Sequence, residues 1–419
     1  MNTAPADPRY AALDAWVELH FDEEVRYLQA LVQVPTDTPP GDNAAHALRT
    51  QQLLAQMGLQ AEAHTVPAAQ VLARGLQSIT NLIVRQRFGA AGPVIALNAH
   101  GDVVPPGEGW QHAPYGGEIV DGKLYGRASA VSKSDFATYT FALRALMAVA
   151  AAQGLALRGG VELHFTYDEE FGGELGPGWL LSQGLTKPDL LIAAGFSYQV
   201  VTAHNGCLQQ EVTLNGLATH AAYPHTGVDA LQAANRLLTA LYAYNGELQT
   251  RLSAVQGISH PYLNVGRIEG GSNTNVVPGK VVLELDRRMI PEEDVHAVEA
   301  EVRALIETTV ARSAGVRVEI KRLLLAGPLK PLAGNAPLVA AIQKQGRLVL
   351  GCDIPISGTP LYTDVRLYGD HGVPAVIYGA GPRTVLESNA KRADEHLVLA
   401  DLQAATRVVA RTLLDLLAG

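Results

Sequence analysis

The chain has 419 residues, of which 47% are hydrophobic and 17% charged, and this composition excludes a disordered chain and suggests two or three globular domains. The formal net charge of -9 and the lack of a basic run argue against nucleic-acid or membrane-surface binding. Two cysteines, Cys207 and Cys352, are too few for a disulfide framework or a Cys-rich zinc module. The sequence does not start with a basic segment followed by an apolar one, and it has no uninterrupted apolar run long enough to span a membrane. We therefore expect a soluble cytoplasmic protein.

The first half of the chain alternates helical and strand patterns. Apolar residues at helical spacing predict helices over residues 10–34, 43–57 and 133–152. Short continuous apolar runs, typical of strands that helices cover on both faces, lie at residues 81–84, 94–98, 161–166 and 190–194. This alternation predicts an α/β architecture.

The pattern changes near Gly206 to the order β-α-β-β-α-β, which is typical of a ferredoxin-like layer. The predicted strands cover residues 209–214, 262–268, 280–286 and 316–324, and the predicted helices cover residues 228–244 and 291–314. After residue 329 the α/β pattern resumes, with helices over 335–350 and 400–417 and a strand over 375–378. We therefore predict a discontinuous α/β catalytic domain, residues 1–205 and 318–419, with an inserted α+β lid or dimerisation domain at 206–317.

Two segments with chemically active side chains follow buried strands. His100 and Asp102 are two residues apart, so in extended chain their side chains point to the same side, and one can orient the other. Asp168, Glu169 and Glu170 are consecutive carboxylates, which repel each other unless one has a partner or a raised pKa. The carboxyl ends of strands in an α/β sheet are the usual place of an active site. The alternatives are a structural loop histidine and a solvated acidic turn.

Together with further motifs, these segments resemble the M20 family of zinc amidohydrolases, which includes acetylornithine deacetylase, succinyl-diaminopimelate desuccinylase and aminoacylases. The further motifs are Gly126-Arg127, Gly216-Leu-Ala-Thr-His220, Asn275-Val-Val-Pro278 and Gly379-Ala-Gly-Pro382. The resemblance covers nearly the whole chain. It implies a zinc-peptidase-like catalytic domain with an inserted domain, hydrolysis of amide bonds at a pair of zinc ions, an active site between the domains, and a homodimer formed through the inserted domain.

Carried over one position at a time, the resemblance makes His100 a metal ligand and Asp102 the group that orients it. Glu169 matches the general acid/base, and Glu170 matches a second metal ligand.

At the other three ligand positions the chain departs from the family. Val131 stands where the family has the bridging aspartate, Gly195 where it has an acidic residue, and Lys391 where it has a histidine. Stable zinc sites need three or four protein ligands. We therefore predict that no cofactor binds tightly, that at most one weakly held zinc ion binds, and that Lys391 pairs with Glu170.

The resemblance also assigns the substrate contacts. His220 matches a histidine that the partner subunit supplies to stabilise the oxyanion, and Asn275 with Arg288 matches the groups that bind the substrate carboxylate. Gly358 resembles the loop whose backbone amides contact substrate. The alternatives are a packed histidine and a surface salt bridge at Arg288. Asp364 and Arg366 are interpreted as an internal ion pair.

These assignments predict an amide-bond hydrolase that acts on an N-acyl amino acid or dipeptide-like carboxylate without an intact dinuclear zinc centre. Glu169 is the general acid/base, and Lys391 supplies part of the missing positive charge. Two alternatives remain open: a catalytically inactive small-molecule binder, and a metallohydrolase with remodelled ligands. The predicted partners are a small-molecule carboxylate and a second copy of the chain, with no nucleic acid and no membrane.

Overall fold

The computed structural model describes residues 7–384 and 386–418 and divides the chain into two compact units. The first unit runs up to Thr202 and resumes at Pro331–Ile356 and again from Thr363, and the second unit comprises Ala203–Lys330 and Ser357–Tyr362. The second unit extends beyond residue 317, where the predicted insertion ended. The reason is that the strand Arg317–Ala326 pairs with the strand Gly206–Asn215 of the same sheet.

The elements before the second unit alternate between helix and strand. In chain order they are α1 (Pro8–Val32), α2 (Ala44–Gln56), β1 (Ala61–Thr65), α3 (Ala68–Ala73), β2 (Thr80–Arg87), β3 (Val94–His100), β4 (Glu118–Val120), β5 (Lys123–Tyr125), α4 (Lys133–Gln153), β6 (Gly160–Thr166), α5 (Pro177–Ser182), β7 (Leu190–Ala193) and β8 (Val200–His204).

The remaining elements belong to the second unit and to the return of the chain into the first. They are β9 (Gly206–Asn215), β10 (Thr219–His220), α6 (Ala230–Leu248), β11 (Tyr262–Gly270), β12 (Val276–Val277), β13 (Lys280–Met289), α7 (Val295–Val310), β14 (Arg317–Ala326), α8 (Ala336–Leu350), β15 (Ile356–Thr359), α9 (Val365–Asp370), β16 (Ala375–Ile377), β17 (His396–Val398) and α10 (Leu399–Leu417).

The large sheet has the strand order β1-β2-β6-β3-β7-β16-β8-β15. Its centre is parallel, because β3 pairs in parallel with both β6 and β7, while β2 pairs antiparallel with β6. Every residue of β3 and β6 is buried, as their continuous apolar runs predict. The carboxyl ends of β3, β6 and β7 therefore open at the same edge of the sheet, and the polar segments follow there.

The second unit is built on an antiparallel sheet with the order β11-β13-β9-β14. Counted along the chain this is second-third-first-fourth, the order of a ferredoxin-like layer. Helices α6 and α7 cover one face, where Leu237 and Ile306 are fully buried. The predicted fold class, an α/β domain with an inserted α+β layer, is confirmed.

In the part of the chain that the structure describes, no helix has the length and apolarity needed to span a lipid bilayer. Cys207 is buried and Cys352 exposed, and neither forms a disulfide.

Candidate active site

The ends of β3 and β6 bring His100, Asp102, Glu169 and Glu170 together in the first unit. The His100 Nδ1 atom lies 3.0 Å from the Asp102 carbonyl oxygen and 3.5 Å from its Oδ1 atom. The Glu170 backbone N–H donates to Asp102 Oδ2 at 3.0 Å, and His100 Nε2 lies 3.9 Å from Glu169 Oε2. Because a carbonyl oxygen only accepts, Nδ1 of His100 carries a proton, and Nε2 faces the carboxylate of Glu169.

Burial and mutual charge shift the pKa values of this group. Burial raises the pKa of Glu169 to about 7, and this outweighs the opposing charge of His100. Burial alone would lower the pKa of His100, but the Glu169 and Asp102 carboxylates outweigh it and raise the pKa. Burial would raise the pKa of Asp102, but the contact with His100 lowers it. Glu169 is thus a buried carboxyl group suited to taking and returning a proton near neutral pH.

Lys391 contacts this group through Glu170. Its Nζ atom lies 2.7 Å from Glu170 Oε2, and the Glu170 side chain is only 7% exposed. Burial opposes the charge of Lys391, but the Glu170 and Glu169 carboxylates raise its pKa. The pair therefore places a positive charge at the edge of the carboxylate group.

The other two positions that the sequence comparison predicts to differ from the family's metal ligands, Val131 and Gly195, carry no ligand side chain. A Cβ atom on Gly195 would collide with Cγ2 of Ile377, so the packing leaves no room for an acidic side chain there. The Gly195 backbone N–H donates instead to Asp135 Oδ2 at 3.1 Å. Val131 is apolar, and its backbone N–H donates to Glu395 Oε1 at 3.3 Å.

Within residues 7–384 and 386–418, no three side chains of the types His, Cys, Asp and Glu are grouped so that they would hold a metal ion. The Oε2 atom of Glu170 accepts a hydrogen bond from the ammonium group of Lys391. An ammonium group has no lone pair and cannot itself ligate a metal.

Asp364, which the sequence predicts to form an internal ion pair, lies close enough to Glu169 for the two carboxyl groups to interact. It stands directly before α9, it is buried, and neither of its carboxylate oxygens has a hydrogen-bond partner among the described residues. Burial, followed by the charge of Glu169, raises its pKa. The predicted ion pair with Arg366 is wrong, because the Arg366 guanidinium lies 3.3 Å from Glu174 Oε1 instead. An aspartate before a helix resembles an ordinary N-cap, but this side chain makes no capping bond.

His220 and Asn275 are neighbours in the second unit. The strands β10 and β12 place His220 opposite Val276, and the Ala221 backbone N–H donates to the Asn275 carbonyl at 2.9 Å. The Ala222 backbone N–H donates to His220 Nδ1 at 3.0 Å. Nδ1 is therefore an acceptor, and in the neutral ring the proton is on Nε2, which makes the exposed edge of His220 a hydrogen-bond donor.

Arg288 and Gly358 also lie in the second unit, each with a partner of its own. The Arg288 Nε and Nη2 atoms donate to the two oxygens of Asp286 at 2.7 and 3.1 Å. This side-on pairing leaves the Nη1 and Nη2 edge for a further carboxylate. The Gly358 backbone N–H donates to the Gln256 carbonyl at 2.7 Å, so this amide is already used within the protein.

Comparison with known proteins gives a consistent result. The model of the family described as peptidase family M20/M25/M40 matches residues 96–415. The succinyl-diaminopimelate desuccinylase of Methylorubrum populi is 27% identical over 406 residues, which are 92% of this chain and 96% of the relative. The desuccinylase of Rhodospirillum rubrum is 27% identical over 404 residues, with the same shares of the two chains.

Solved structures of low sequence identity share the fold. A metallo-carboxypeptidase of the M20 family from Sulfolobus solfataricus has a TM-score of 0.75 at 18% identity, covering 93% of this chain and 98% of its own. A dinuclear metal binding peptidase of the same family from Bacillus subtilis has a TM-score of 0.63 at 17% identity, with 96% and 99% covered. Proteins of this family thus include metal-binding peptidases, and by this finding the prediction that no cofactor binds tightly is wrong.

Proposed function

The chain belongs to peptidase family M20/M25/M40 and is an amide-bond hydrolase of this type, and we propose that its substrate is an N-acyl amino acid or a dipeptide-like compound that ends in a free carboxylate. The observation that carries the proposal is Glu169, a buried carboxyl group with a raised pKa at the carboxyl end of β6 and beside His100. A base of this kind is what the attack of water on an amide requires.

We propose that Glu169 accepts a proton from the attacking water as the water oxygen bonds to the amide carbonyl carbon. The C–N bond then breaks, and Glu169 returns the proton to the leaving nitrogen, so that one acid and one amine are released. His100, held by Asp102, fixes the Glu169 carboxylate through its charge. Lys391 holds Glu170 beside it.

The second unit supplies the groups proposed to bind the substrate. The Nε2–H of His220 is the donor for the oxyanion, because its Nδ1 accepts from Ala222. The free edge of Arg288, with the neighbouring amide of Asn275, binds the carboxylate of the substrate, for which a guanidinium fork is well suited.

We also propose that the protein is a homodimer formed through the second unit. Strand β11 is an edge strand, and its exposed residues include Ile268, which is 50% exposed. An edge strand offers unpaired backbone groups to a second chain. Light scattering during size-exclusion chromatography should give twice the chain mass of 44.4 kDa.

The test of the activity is the release of primary amine from N-acetyl amino acids, N-succinyl amino acids and dipeptides, each measured with zinc and with EDTA. We expect turnover of compounds with a free carboxylate, and at least about tenfold less for the same compounds as carboxamides. No turnover of any compound under either condition would contradict the proposal.

A further inference from the structure

The end of strand β3 continues past the end of its neighbour β7. The Ala194 backbone N–H donates to the Asn98 carbonyl at 2.8 Å, and the chain then leaves the edge of β3. On the other side of β3, the Gly101 backbone N–H still donates to the Thr166 carbonyl of β6 at 2.9 Å. Backbone groups two residues apart in a strand face the same side, so those of His100 face the side on which β7 has ended.

The side chain of Ser132 supplies the two partners that β7 no longer provides. The His100 backbone N–H donates to Ser132 Oγ at 3.0 Å, and this hydroxyl donates to the His100 carbonyl at 3.0 Å. A hydroxyl has one proton to donate and lone pairs with which to accept, so the two hydrogen bonds are compatible. Ser132 is 2% exposed, which leaves little room for water to replace it. Its hydroxyl therefore takes the place of a strand residue at the end of β3.

Ser132 belongs to a turn that is also fixed to the neighbouring strands. Three residues later, Asp135 accepts from the Gly195 backbone N–H at 3.1 Å and from the Ala380 backbone N–H at 2.7 Å. Gly195 lies just after β7, and Ala380 lies just after β16. The Asp135 backbone N–H also donates to the Ser132 carbonyl at 3.0 Å. The turn at the start of α4 thus holds the carboxyl ends of β3, β7 and β16 together.

The turn approaches the sheet closely. A Cβ atom on Gly379 would lie 2.1 Å from Asp135 Oδ1, so the packing leaves no room for a side chain there. The turn and the three strand ends all lie in the first unit. The position of Ser132 is therefore set by contacts with three strands and not by its own loop alone.

The position of His100 matters because its ring contacts two carboxyl groups. The Nδ1 atom lies 3.5 Å from Asp102 Oδ1, and the Nε2 atom lies 3.9 Å from Glu169 Oε2. His100 is the last residue of β3, where a strand opens most easily unless its backbone groups are held. A shift of about 1 Å between groups that act together in a reaction can lower the rate by about 10²-fold.

We propose that Ser132 is a positioning residue of the hydrolysis. Its hydroxyl holds the His100 backbone where β7 has ended and thereby sets the approach of the His100 ring to Glu169. The proposal rests on the role of Glu169 in the proposed function. Ser132 acts through His100, so its loss slows the chemical step and leaves substrate binding unchanged.

The first test is the effect of Ser132→Ala on kcat and KM. The substrate is whichever of the N-acetyl amino acids, N-succinyl amino acids and dipeptides wild type hydrolyses fastest, with zinc or with EDTA. We expect kcat to fall about tenfold or more and KM to stay within about twofold. Ser132→Cys keeps a weaker hydrogen-bonding group and should fall between wild type and Ser132→Ala.

Ser134→Ala is the matched control. Ser134 is a buried serine of the same turn, and its hydroxyl donates to the Ala130 carbonyl at 3.2 Å instead of to His100. This variant should keep kcat within about twofold. Unchanged kcat in Ser132→Ala, or an equal loss in Ser132→Ala and Ser134→Ala, overturns the proposal.

A second comparison separates positioning from a general loss of structure. In the His100→Ala background the ring that Ser132 positions is absent, so Ser132→Ala should lower kcat further by less than about twofold. The same fold loss of kcat in both backgrounds overturns the proposal, because Ser132 would then act independently of His100.

Hydrogen exchange at the His100 amide tests the contact without substrate. Relative to the Leu97 amide in the middle of β3, it should be at least about tenfold faster in Ser132→Ala than in wild type, and unchanged in Ser134→Ala. Absence of turnover in wild type counts against the proposed function only, and the exchange rates then decide the role of Ser132. Faster exchange at His100 supports the proposal, and unchanged exchange overturns it even where kcat falls.

Discussion

Lys391 and Glu170 form an ion pair in which the Nζ and Oε2 atoms are 2.7 Å apart, although the two residues are 221 positions apart in sequence. An ammonium group donates hydrogen bonds and has no lone pair, so it holds the carboxylate without offering a ligand atom. A metal ion that approaches Glu170 has to compete with this ammonium. We therefore expect Lys391 to weaken the attraction of Glu170 for a divalent cation.

Lys391→His should raise the amount of zinc retained per chain, because it frees Glu170 and adds a nitrogen ligand beside it. The measurement is elemental analysis after zinc loading and exhaustive dialysis of wild type and variant in parallel. Lys344→His, at a surface ion pair with Asp415, is the matched control and should equal wild type. Equal zinc content in Lys391→His and wild type would contradict the competition between Lys391 and a metal.

The approach of His100 to Glu169 follows from the sequence, because His100 ends β3, Glu169 follows the end of β6, and the parallel sheet places these two buried strands side by side. The order of elements in the second unit was likewise predicted from its periodicity. The start of α7 was not predicted correctly, because the helix begins after Asp294 and not at Pro291. The Asp294 side chain caps the helix by accepting hydrogen bonds from the His296 and Ala297 backbone N–H groups at 3.1 and 2.8 Å. A nearby cap outweighed the preference of proline for a first turn.

The parts of the site that sequence could not reveal depend on contacts between distant segments. The lack of room at Gly195 is set by Ile377, a residue of the neighbouring strand β16. The burial of Asp364 among carboxylates depends on the packing of α9, which no local pattern encodes. The side-on pairing of Arg288 with Asp286 depends on rotamers that a strand pattern leaves open.

The packing around Gly195 predicts a stability effect. Gly195→Ala should lower the melting temperature by a few degrees, because overpacking costs about 1–3 kcal/mol and the added Cβ meets Ile377. The double variant Gly195→Ala/Ile377→Ala should have the same melting temperature as Ile377→Ala alone, because the added Cβ then has no side chain to collide with. Gly246→Ala, in α6 with open space around its Cβ, is the control and should not lower the melting temperature. Additive losses in the double variant would contradict the contact.

The role of Glu169 predicts the effect of Glu169→Gln. We expect kcat to fall by about 10²–10⁴-fold, since the amide cannot accept and return the proton. The melting temperature should not fall, because the exchange removes a carboxyl group whose charged form burial disfavours. Glu174→Gln, in the same loop with a side chain 43% exposed, should keep kcat within about twofold. Wild-type turnover in Glu169→Gln would assign the base to another group.

The orientation of the His220 ring predicts different effects for its two amide replacements. Glutamine places an N–H near the position of Nε2, whereas asparagine reproduces only the acceptor near Nδ1 that Ala222 contacts. We expect kcat to fall about tenfold in His220→Gln and about 100-fold or more in His220→Asn. His225→Gln, at an exposed histidine nearby, serves as the control. If the two His220 variants lose kcat equally, the ring does not act through an Nε2 donor.

Glu24 lies fully buried in α1 and predicts that stability depends on pH. It accepts a hydrogen bond from Thr406 Oγ1 at 2.6 Å, and burial, the largest effect, raises its pKa to about 8. An unfolded glutamate has a pKa of about 4.3, so the folded state prefers the protonated form. This contribution to stability is complete below about pH 4 and is lost as the pH rises through the folded pKa of about 8.

Glu24→Gln should therefore melt at about the same temperature as wild type at pH 5. At pH 9 it should melt several degrees higher, because folded wild type then has to keep an ionised carboxylate buried at position 24. The measurement is thermal unfolding followed by circular dichroism at pH 5, 7 and 9. Asp22→Asn removes an exposed carboxylate from the same helix and should leave the difference between pH 5 and pH 9 unchanged. A melting temperature of Glu24→Gln that falls between pH 5 and pH 9 as much as that of wild type would show that another group titrates, because Glu24 is the only group the substitution removes.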